Sequence, residues 1–284
     1  MDTPVNRRNV LVGSVFAAAA LAAGTACSSS SDDKNTAATT SAAALSQQAK
    51  DTTVVLVHGA GLDGSTWSKV SDQLQAGGYK VMVPANPLRS IGVDSDYFGK
   101  VVGAIDGPVV LVGHSYGGAI ITEIGAKFPN VKGLVYSAAF APEVGQSCLG
   151  VANAYPPTKL VAATVPSKYT VDIDGVQVPE LLVDPAQFGA VFAAGLPADL
   201  VNAMAVSGRP ATPLALDGKV TDAAWKTLPS WFVVTTEDNA IPPDAQRMMA
   251  TRANAKKIVE IASPHLVALT HPDQVAALIR EAVG

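Results

Sequence analysis

The sequence is poor in charged residues and holds no concentration of positive charge. Only 15% of its 284 residues are charged, and 24 acidic against 20 basic side chains give a formal net charge of −4. Lysine and arginine do not cluster as nucleic-acid binding requires, so no nucleic-acid partner is expected. No segment repeats at a fixed period, which argues against a solenoid or a propeller. With 48% apolar residues, the chain has the composition of a globular protein with a full core.

Cysteine is also scarce, since it occurs only at positions 27 and 148. The predicted folded body therefore has no disulfide framework, and Cys148 is interpreted as a packing residue. Cys27 directly follows a predicted export signal over residues 1–26, in which Arg7 and Arg8 precede an apolar run too short to span a bilayer. The paired arginines resemble a twin-arginine signal.

The sequence around Cys27 allows two forms of the exported protein. Cys27 with the serine-rich stretch behind it resembles the start of a bacterial lipoprotein, in which this cysteine is acylated and anchors the protein to the outer face of the membrane. The residues at 24–26 equally suit ordinary signal-peptidase cleavage, which would give a secreted protein. Residues 27–50 are rich in Ser, Ala and Thr and predict a flexible tether. The oligomeric state is left open.

From Asp51 to Gly284 the sequence predicts one α/β domain. Apolar, β-branched runs typical of buried strands alternate with segments of helical spacing, and the runs lie at 52–59, 80–84, 108–115, 131–140, 230–238 and 256–263. This alternation predicts a mostly parallel sheet of about six strands with helices on both faces. One of the helices is predicted over 95–106, with Ser95 or Asp94 as its N-cap.

The alternation breaks between about residues 142 and 228, which are rich in Pro and Gly. A β-hairpin that turns at Asp174-Gly175 and two short helices are predicted in this segment. An insertion between two strands of a parallel sheet lies above their C-terminal ends, where ligands bind, so we interpret it as a cap. Four of its apolar residues are hypothesised either to line a pocket or merely to pack the cap: Phe188, Phe192, Leu196 and Met204.

The strongest local motif is G-x-S-x-G, spelled by GHSYG at residues 113–117. It lies between a predicted strand and a predicted helix, which is the context that a nucleophilic serine needs in this motif. Ser115 is therefore the candidate nucleophile. The N-terminus of the following helix favours negative charge that develops beside it.

A nucleophilic serine needs a base, and the chain has only four histidines. His265 follows the last predicted strand, from where a loop reaches back over Ser115, so it is the candidate base. His271 begins the last helix and is the alternative. Of the remaining two histidines, His58 lies at the end of the first strand and His114 lies inside the serine motif.

The base in turn needs a carboxylate, and the residues Glu237-Asp238 follow the fifth strand of the sheet. Asp238 lies further into the loop and is favoured, with Glu237 as the alternative and Glu143, after the fourth strand, as a weaker one. The resulting chain order of Ser, Asp and His is that of an α/β-hydrolase.

The stretch HGAGLDG at residues 58–64 carries the G-x-G-x-x-G spacing of a dinucleotide-binding turn. Such a site also needs an acidic residue at the end of the second strand, and residues 82–86 contain none. We instead assign the backbone N–H groups of Ala60 and Tyr116 as an oxyanion hole. The sequence shows no metal-ligand cluster, and no cofactor or metal is expected.

The stretches HGAGLDGSTW, GHSYGG, TTEDNAIPPDAQ and SPHLV together resemble the α/β-hydrolase superfamily. Within it they are similar to the branch of EstC-like carboxylesterases, plant methyl esterases of the salicylate-binding type and hydroxynitrile lyases. The resemblance covers about residues 52–284, more loosely in the cap, and a six-stranded sheet also fits this branch. It implies the same roles for Ser115, Asp238, His265, Ala60 and Tyr116.

Two departures separate the chain from the lyases of that branch. Those enzymes carry Lys after the catalytic His and Thr in the oxyanion loop, where this chain has Leu266 and Ala60. We therefore predict a serine carboxylesterase that cleaves a small-molecule ester through an acyl-enzyme. A hydroxynitrile-lyase-like C–C lyase and a non-catalytic, surface-tethered ligand-binding protein are the alternatives. The natural ester is not predicted.

Overall fold

The computed structural model describes residues 46–284. The predicted export signal, Cys27 and most of the predicted tether lie outside the described residues. In the described part of the chain the strands are β1 (Thr53–Val57), β2 (Lys80–Met82), β3 (Val109–Ser115), β4 (Val131–Ala139), β5 (Thr164–Ile173), β6 (Val176–Val183), β7 (Ser230–Thr235) and β8 (Lys257–Ile261).

Six of these strands form a parallel sheet in the order β2-β1-β3-β4-β7-β8. Every residue of the central strands β1 and β3 is buried, as expected for strands covered on both faces. The predicted fold class, a mostly parallel six-stranded sheet flanked by helices, is confirmed. Because the strands are parallel, the loops after β1, β3, β7 and β8 meet at one edge of the sheet.

Helices cover both faces of the sheet. They are α1 (Gln47–Asp51), α2 (Ser68–Ala76), α3 (Ile91–Gly103), α4 (Gly117–Ile124), α5 (Cys148–Ala152), α6 (Lys159–Ala163), α7 (Pro185–Phe192), α8 (Ala198–Ser207), α9 (Pro213–Asp217), α10 (Pro243–Arg252), α11 (Val267–Thr270) and α12 (Pro272–Val283). One core layer packs α1, α2 and α12 on the sheet, and another packs α3, α4 and α10 on its opposite face. Among the described residues no helix has the length and apolarity that crossing a membrane requires.

The N-terminal helix α1 belongs to the folded body, although its first residues fall within the predicted tether. Ala49 is buried in the core layer with α2 and α12. The Ser46 hydroxyl donates to the carbonyl of Gly284 at 3.3 Å, and the Gln48 side-chain amide donates to the carbonyl of Val283 at 3.4 Å. The packed structure therefore begins before Asp51, because α1 closes against the C-terminal end of α12.

The predicted cap segment contains α5 to α9 and the antiparallel β5–β6 hairpin. The hairpin turns at Asp174 and Gly175 as predicted, and both residues have positive φ, 52° and 80°, as a type I′ turn requires. The hairpin is fastened to the body by an ion pair between Arg89 and the buried Glu180. A β-bridge between Leu181 and Ala211 holds its second strand to the rest of the cap.

The start of α3 differs from the prediction. The helix begins at Ile91, and its N-cap is Ser90, whose hydroxyl accepts from the backbone N–H of Val93 at 3.1 Å. Ser95 and Asp94 lie inside the helix and are buried, so neither is the cap. Asp94 instead points its carboxylate toward the loop before the helix and toward α4.

Helix α1 docks through the small, buried side chain of Ala49. We therefore expect Ala49→Asp to lower the free energy of unfolding by about 1–3 kcal/mol. The loss is no larger because the helix can undock and return the charge to water. Urea denaturation checks this. Gln47→Asp, which adds a carboxylate at an exposed position of the same helix, is the control. Equal stabilities of the two variants would contradict the docking of α1.

Candidate active site

Ser115 occupies a sharp turn between β3 and α4. Its φ of 55° is in the left-handed region, which is unusual for a residue other than glycine. Glycines make the turn possible, because a Cβ on Gly59 would lie 2.5 Å from the Cβ of Ser115, and one on Gly113 would lie 2.6 Å from the Cα of Gly118. The geometry is that of a strand-turn-helix nucleophile elbow.

Asp238 and His265 form a buried pair. Nδ1 of His265 lies 2.8 Å from Oδ2 of Asp238, and both side chains are fully shielded from solvent. The loops after β7 and β8 bring these residues together across 27 positions of sequence. This contact fixes the imidazole so that Nδ1 faces the carboxylate and Nε2 faces away from it.

The Asp238 carboxylate is held by donors on both oxygens. The backbone N–H groups of two residues donate to Oδ1, and two side chains besides His265 donate to Oδ2; these partners are Ala240, Ile241, Thr235 and Gln246. Burial by itself raises the pKa of Asp238, but His265 and these hydrogen bonds outweigh it, and the pKa of Asp238 lies below its usual value. Asp238 is therefore a carboxylate at neutral pH.

Two neighbours, His114 and Phe192, contact the other sides of His265. Nε2 of His114 lies 3.0 Å from the His265 carbonyl oxygen, and the two imidazole rings are 4.5 Å apart. The Phe192 ring of the cap stacks on His265 at 5.3 Å. Nε2 of His265 is buried and has no hydrogen-bond partner among residues 46–284. This nitrogen is therefore not hydrogen-bonded to the Ser115 hydroxyl, so the structure brings His265 to Asp238 but shows no hydrogen bond between His265 and Ser115.

The remaining histidines are used otherwise. His58 is buried, and its ring nitrogens contact the Gly59 carbonyl at 3.0 Å and the Asn86 N–H at 2.9 Å, so it braces the loop after β1. Burial lowers the pKa of His58. His271 precedes α12 and lies 3.0 Å from the Thr270 hydroxyl. Neither is brought to Asp238 in the way that His265 is.

The alternative carboxylates also lie elsewhere. Glu237 is exposed to solvent, although it is adjacent in sequence to the buried Asp238. Glu143 forms an ion pair with Lys226 at 2.5 Å. Burial raises the pKa of Cys148, which is consistent with the predicted packing role.

The backbone N–H groups of Ala60 and Tyr116 flank the Ser115 turn. Gly59, which precedes Ala60, packs against the Ser115 side chain, and Tyr116 directly follows Ser115 at the N-cap of α4. In the described part of the chain neither N–H donates a hydrogen bond to another group. Both donors are therefore available to an oxygen bound beside Ser115. Among residues 46–284 no cluster of three or more His, Cys, Asp or Glu could hold a metal ion.

The cap covers this site with apolar side chains. Phe188, Phe192 and Met204 are buried in one cluster with Leu266, which follows His265, and the partly buried Leu196 packs against that cluster. The sequence pattern pointed to these cap residues but not to the stacking of Phe192 on His265. The His114 contact was also missed, since the sequence shows only that His114 lies within the serine motif.

Comparisons with known proteins agree with this architecture. The model of the alpha/beta hydrolase family matches residues 54–278. The chain is 30% identical over 187 residues to the alpha/beta hydrolase nvfD of Aspergillus novofumigatus, a match that covers 62% of this chain and 70% of that protein. It is also 28% identical over 252 residues to methylesterase 7 of Arabidopsis thaliana. This match covers 80% of this chain and 94% of the methylesterase.

Solved structures show the same fold. The crystal structure of polyneuridine aldehyde esterase superposes with a TM-score of 0.72 at 20% sequence identity, and the match covers 82% of this chain and 99% of that one. At this identity the likeness supports the fold alone.

Burial, reinforced by His265, lowers the pKa of His114 from 6.5 to about 3. The unfolded chain takes up this proton near pH 6.5 but the folded chain only near pH 3, so the free energy of unfolding falls as the pH falls through this window, by up to about 1.4 kcal/mol per pH unit. We expect His114→Gln to reduce the slope of the unfolding free energy against pH, by up to the contribution of one proton. Urea denaturation between pH 7 and pH 4 measures this slope. His271→Gln is the control, and equal slopes in the parent and His114→Gln would refute this account.

Proposed function

The chain belongs to the alpha/beta hydrolase family, and we propose that it is a carboxylic ester hydrolase that works through Ser115, His265 and Asp238. The observation that carries the proposal is the buried 2.8 Å contact between His265 and Asp238, which leaves Nε2 of His265 without a partner among the described residues. The left-handed turn at Ser115 supplies the proposed nucleophile. Relatives with esterase names, such as the plant methylesterase, support an ester over other acyl substrates.

In the acylation step, His265 takes the proton of Ser115 through Nε2 as the Ser115 oxygen attacks the ester carbonyl. The Asp238 carboxylate stabilises the imidazolium that forms, because it already faces Nδ1. The N–H groups of Ala60 and Tyr116 receive the oxyanion. Nε2 then returns the proton to the departing alcohol, which leaves an acyl group on Ser115.

Deacylation uses the same groups with water in place of the alcohol. His265 removes a proton from water, the hydroxide adds to the acyl carbonyl, and Ser115 leaves as its oxygen regains the proton. The free acid departs. This cycle needs no cofactor, and all of its acid-base groups come from the carboxyl ends of β3, β7 and β8.

Two alternative functions make different predictions for this site. A lyase of the same family would cleave a C–C bond of a cyanohydrin, but it would need a positive group after His265, where the chain has the buried Leu266. A non-catalytic binding protein would have no need of the buried Asp238–His265 pair, which costs desolvation energy. Release of cyanide from mandelonitrile without ester turnover would support the first, and tight ester binding without turnover the second.

We expect Ser115→Ala to lower the kcat for p-nitrophenyl acetate and butyrate by roughly 10⁴-fold or more, because it removes the nucleophile. The assay uses the full chain at pH 8, where His265 must accept a proton. Binding of a non-hydrolysable substrate analogue to both proteins checks that the site is intact. Equal rates for the parent and the variant would overturn the esterase proposal.

The two adjacent carboxylates provide a matched pair of variants. Asp238→Asn should lower kcat by about 10³–10⁴-fold, since it removes the charge that stabilises the His265 imidazolium. Glu237→Gln, one residue earlier and exposed, should change kcat by less than about twofold. The same ester assay measures both. A larger loss of kcat from Glu237→Gln than from Asp238→Asn would show that Asp238 is not the acid of the triad.

A further inference from the structure

A buried carboxylate outside the proposed triad contacts the residue that follows the nucleophile. Asp94, on α3, is fully buried, and its Oδ2 accepts a hydrogen bond from the Tyr116 hydroxyl at 2.8 Å. Its Oδ1 accepts from the backbone N–H of Arg89 at 3.0 Å. Tyr116 is itself fully buried, so the hydrogen bond joins α3 to the start of α4 in the core.

Among the described residues Asp94 has no ion-pair partner that would compensate a negative charge. The Arg89 guanidinium favours a charged Asp94 through space, but it forms its ion pair with Glu180 of the cap. Burial raises the pKa of Asp94 despite the two hydrogen bonds, and burial together with Asp94 raises that of Tyr116. A buried carboxyl is costly, so packing alone gives no reason for one here.

The position of Tyr116 gives such a reason. Its backbone N–H is one of the two proposed oxyanion donors, and its direction depends on the left-handed Ser115 immediately before it. A strained turn keeps its geometry only when several independent contacts in the surrounding structure hold it. The hydrogen bond to Asp94 adds a second restraint, because it fixes the hydroxyl end of the buried Tyr116 side chain.

We propose that Asp94 is a positioning residue of the oxyanion hole: by holding the Tyr116 hydroxyl it aims the Tyr116 N–H at the oxygen that gains charge in the transition state. The inference rests on the proposed ester hydrolysis. Asp94 touches neither the substrate nor the reacting atoms. Its effect should therefore appear in kcat and not in KM, since an oxyanion donor acts most strongly on the transition state.

The decisive variant is Tyr116→Phe, which removes only the hydroxyl. We expect kcat to fall by about 10-fold with KM within twofold, and the affinity for a trifluoromethyl ketone, which forms a tetrahedral oxyanion on serine, to fall by the same factor. The matched control is Tyr136→Phe. Tyr136 is also fully buried, and its hydroxyl lies 2.9 Å from that of Thr122 on α4, whereas among the described residues it makes no hydrogen bond to Asp94 or Tyr116.

Asp94→Asn provides a second route if one variant folds poorly. The amide keeps an acceptor for the Arg89 N–H and can donate to the Tyr116 oxygen, so we expect a smaller loss of kcat than from Tyr116→Phe. In the Tyr116→Phe background it should lower kcat no further, because the shared contact is already gone. An additive loss would show that Asp94 acts by another route and would overturn the proposal.

The outcomes separate this inference from the proposed function. If Tyr116→Phe and Tyr136→Phe lose stability alike and both keep the parent kcat, while Ser115→Ala is inactive, Asp94 is structural only and the positioning role is refuted. A rise in KM without a change in kcat would refute it too. If the parent and Ser115→Ala hydrolyse the ester equally slowly, the proposed function fails, and the inference fails with it.

Discussion

The left-handed backbone of Ser115 is the constraint on which the rest of the site depends. A non-glycine residue in this region costs on the order of 1–3 kcal/mol, so the neighbouring structure must hold it. The Phe140 N–H donates to the Ser115 carbonyl at 3.1 Å, and Gly117 lies so close to the Val57 carbonyl that it has no room for a side chain. The sheet, through β1, β3 and β4, thus imposes the left-handed turn at Ser115.

The charges around His265 follow from burial. The ring of His114 lies 4.5 Å from that of His265, and burial lowers the pKa of both His114 and His58. Asp238 keeps its negative charge because several donors compensate its desolvation. A proton that arrives on His265 therefore meets the Asp238 carboxylate on one side and the neutral His114 imidazole on another. In a low-dielectric site the carboxylate strongly favours a transient imidazolium on His265.

The sequence predicted those parts of the molecule that depend on local pattern. All six strands of the sheet and the Asp174-Gly175 turn were found, because burial on both faces selects β-branched runs and positive φ selects particular turn residues. Asp94 was misjudged as a helix cap, since Asp is common at caps and nothing local reveals that Tyr116, 22 positions away, donates to it. The contact between His114 and His265 spans 151 positions and leaves no local signal either.

The cap contacts the site at residues that hold the proposed catalytic groups. Phe192 stacks on His265, and Gly61, in the loop that carries the Ala60 donor, donates from its N–H to the carbonyl of Arg209 at 3.1 Å. The hairpin is held through Arg89, whose backbone N–H also holds Asp94. The cap therefore contacts the proposed base and the loop that carries one proposed oxyanion donor, and it is linked through Asp94 to the other. Substitutions in the cap at these contacts would act on the proposed catalytic groups as well as on any substrate that the cap touches.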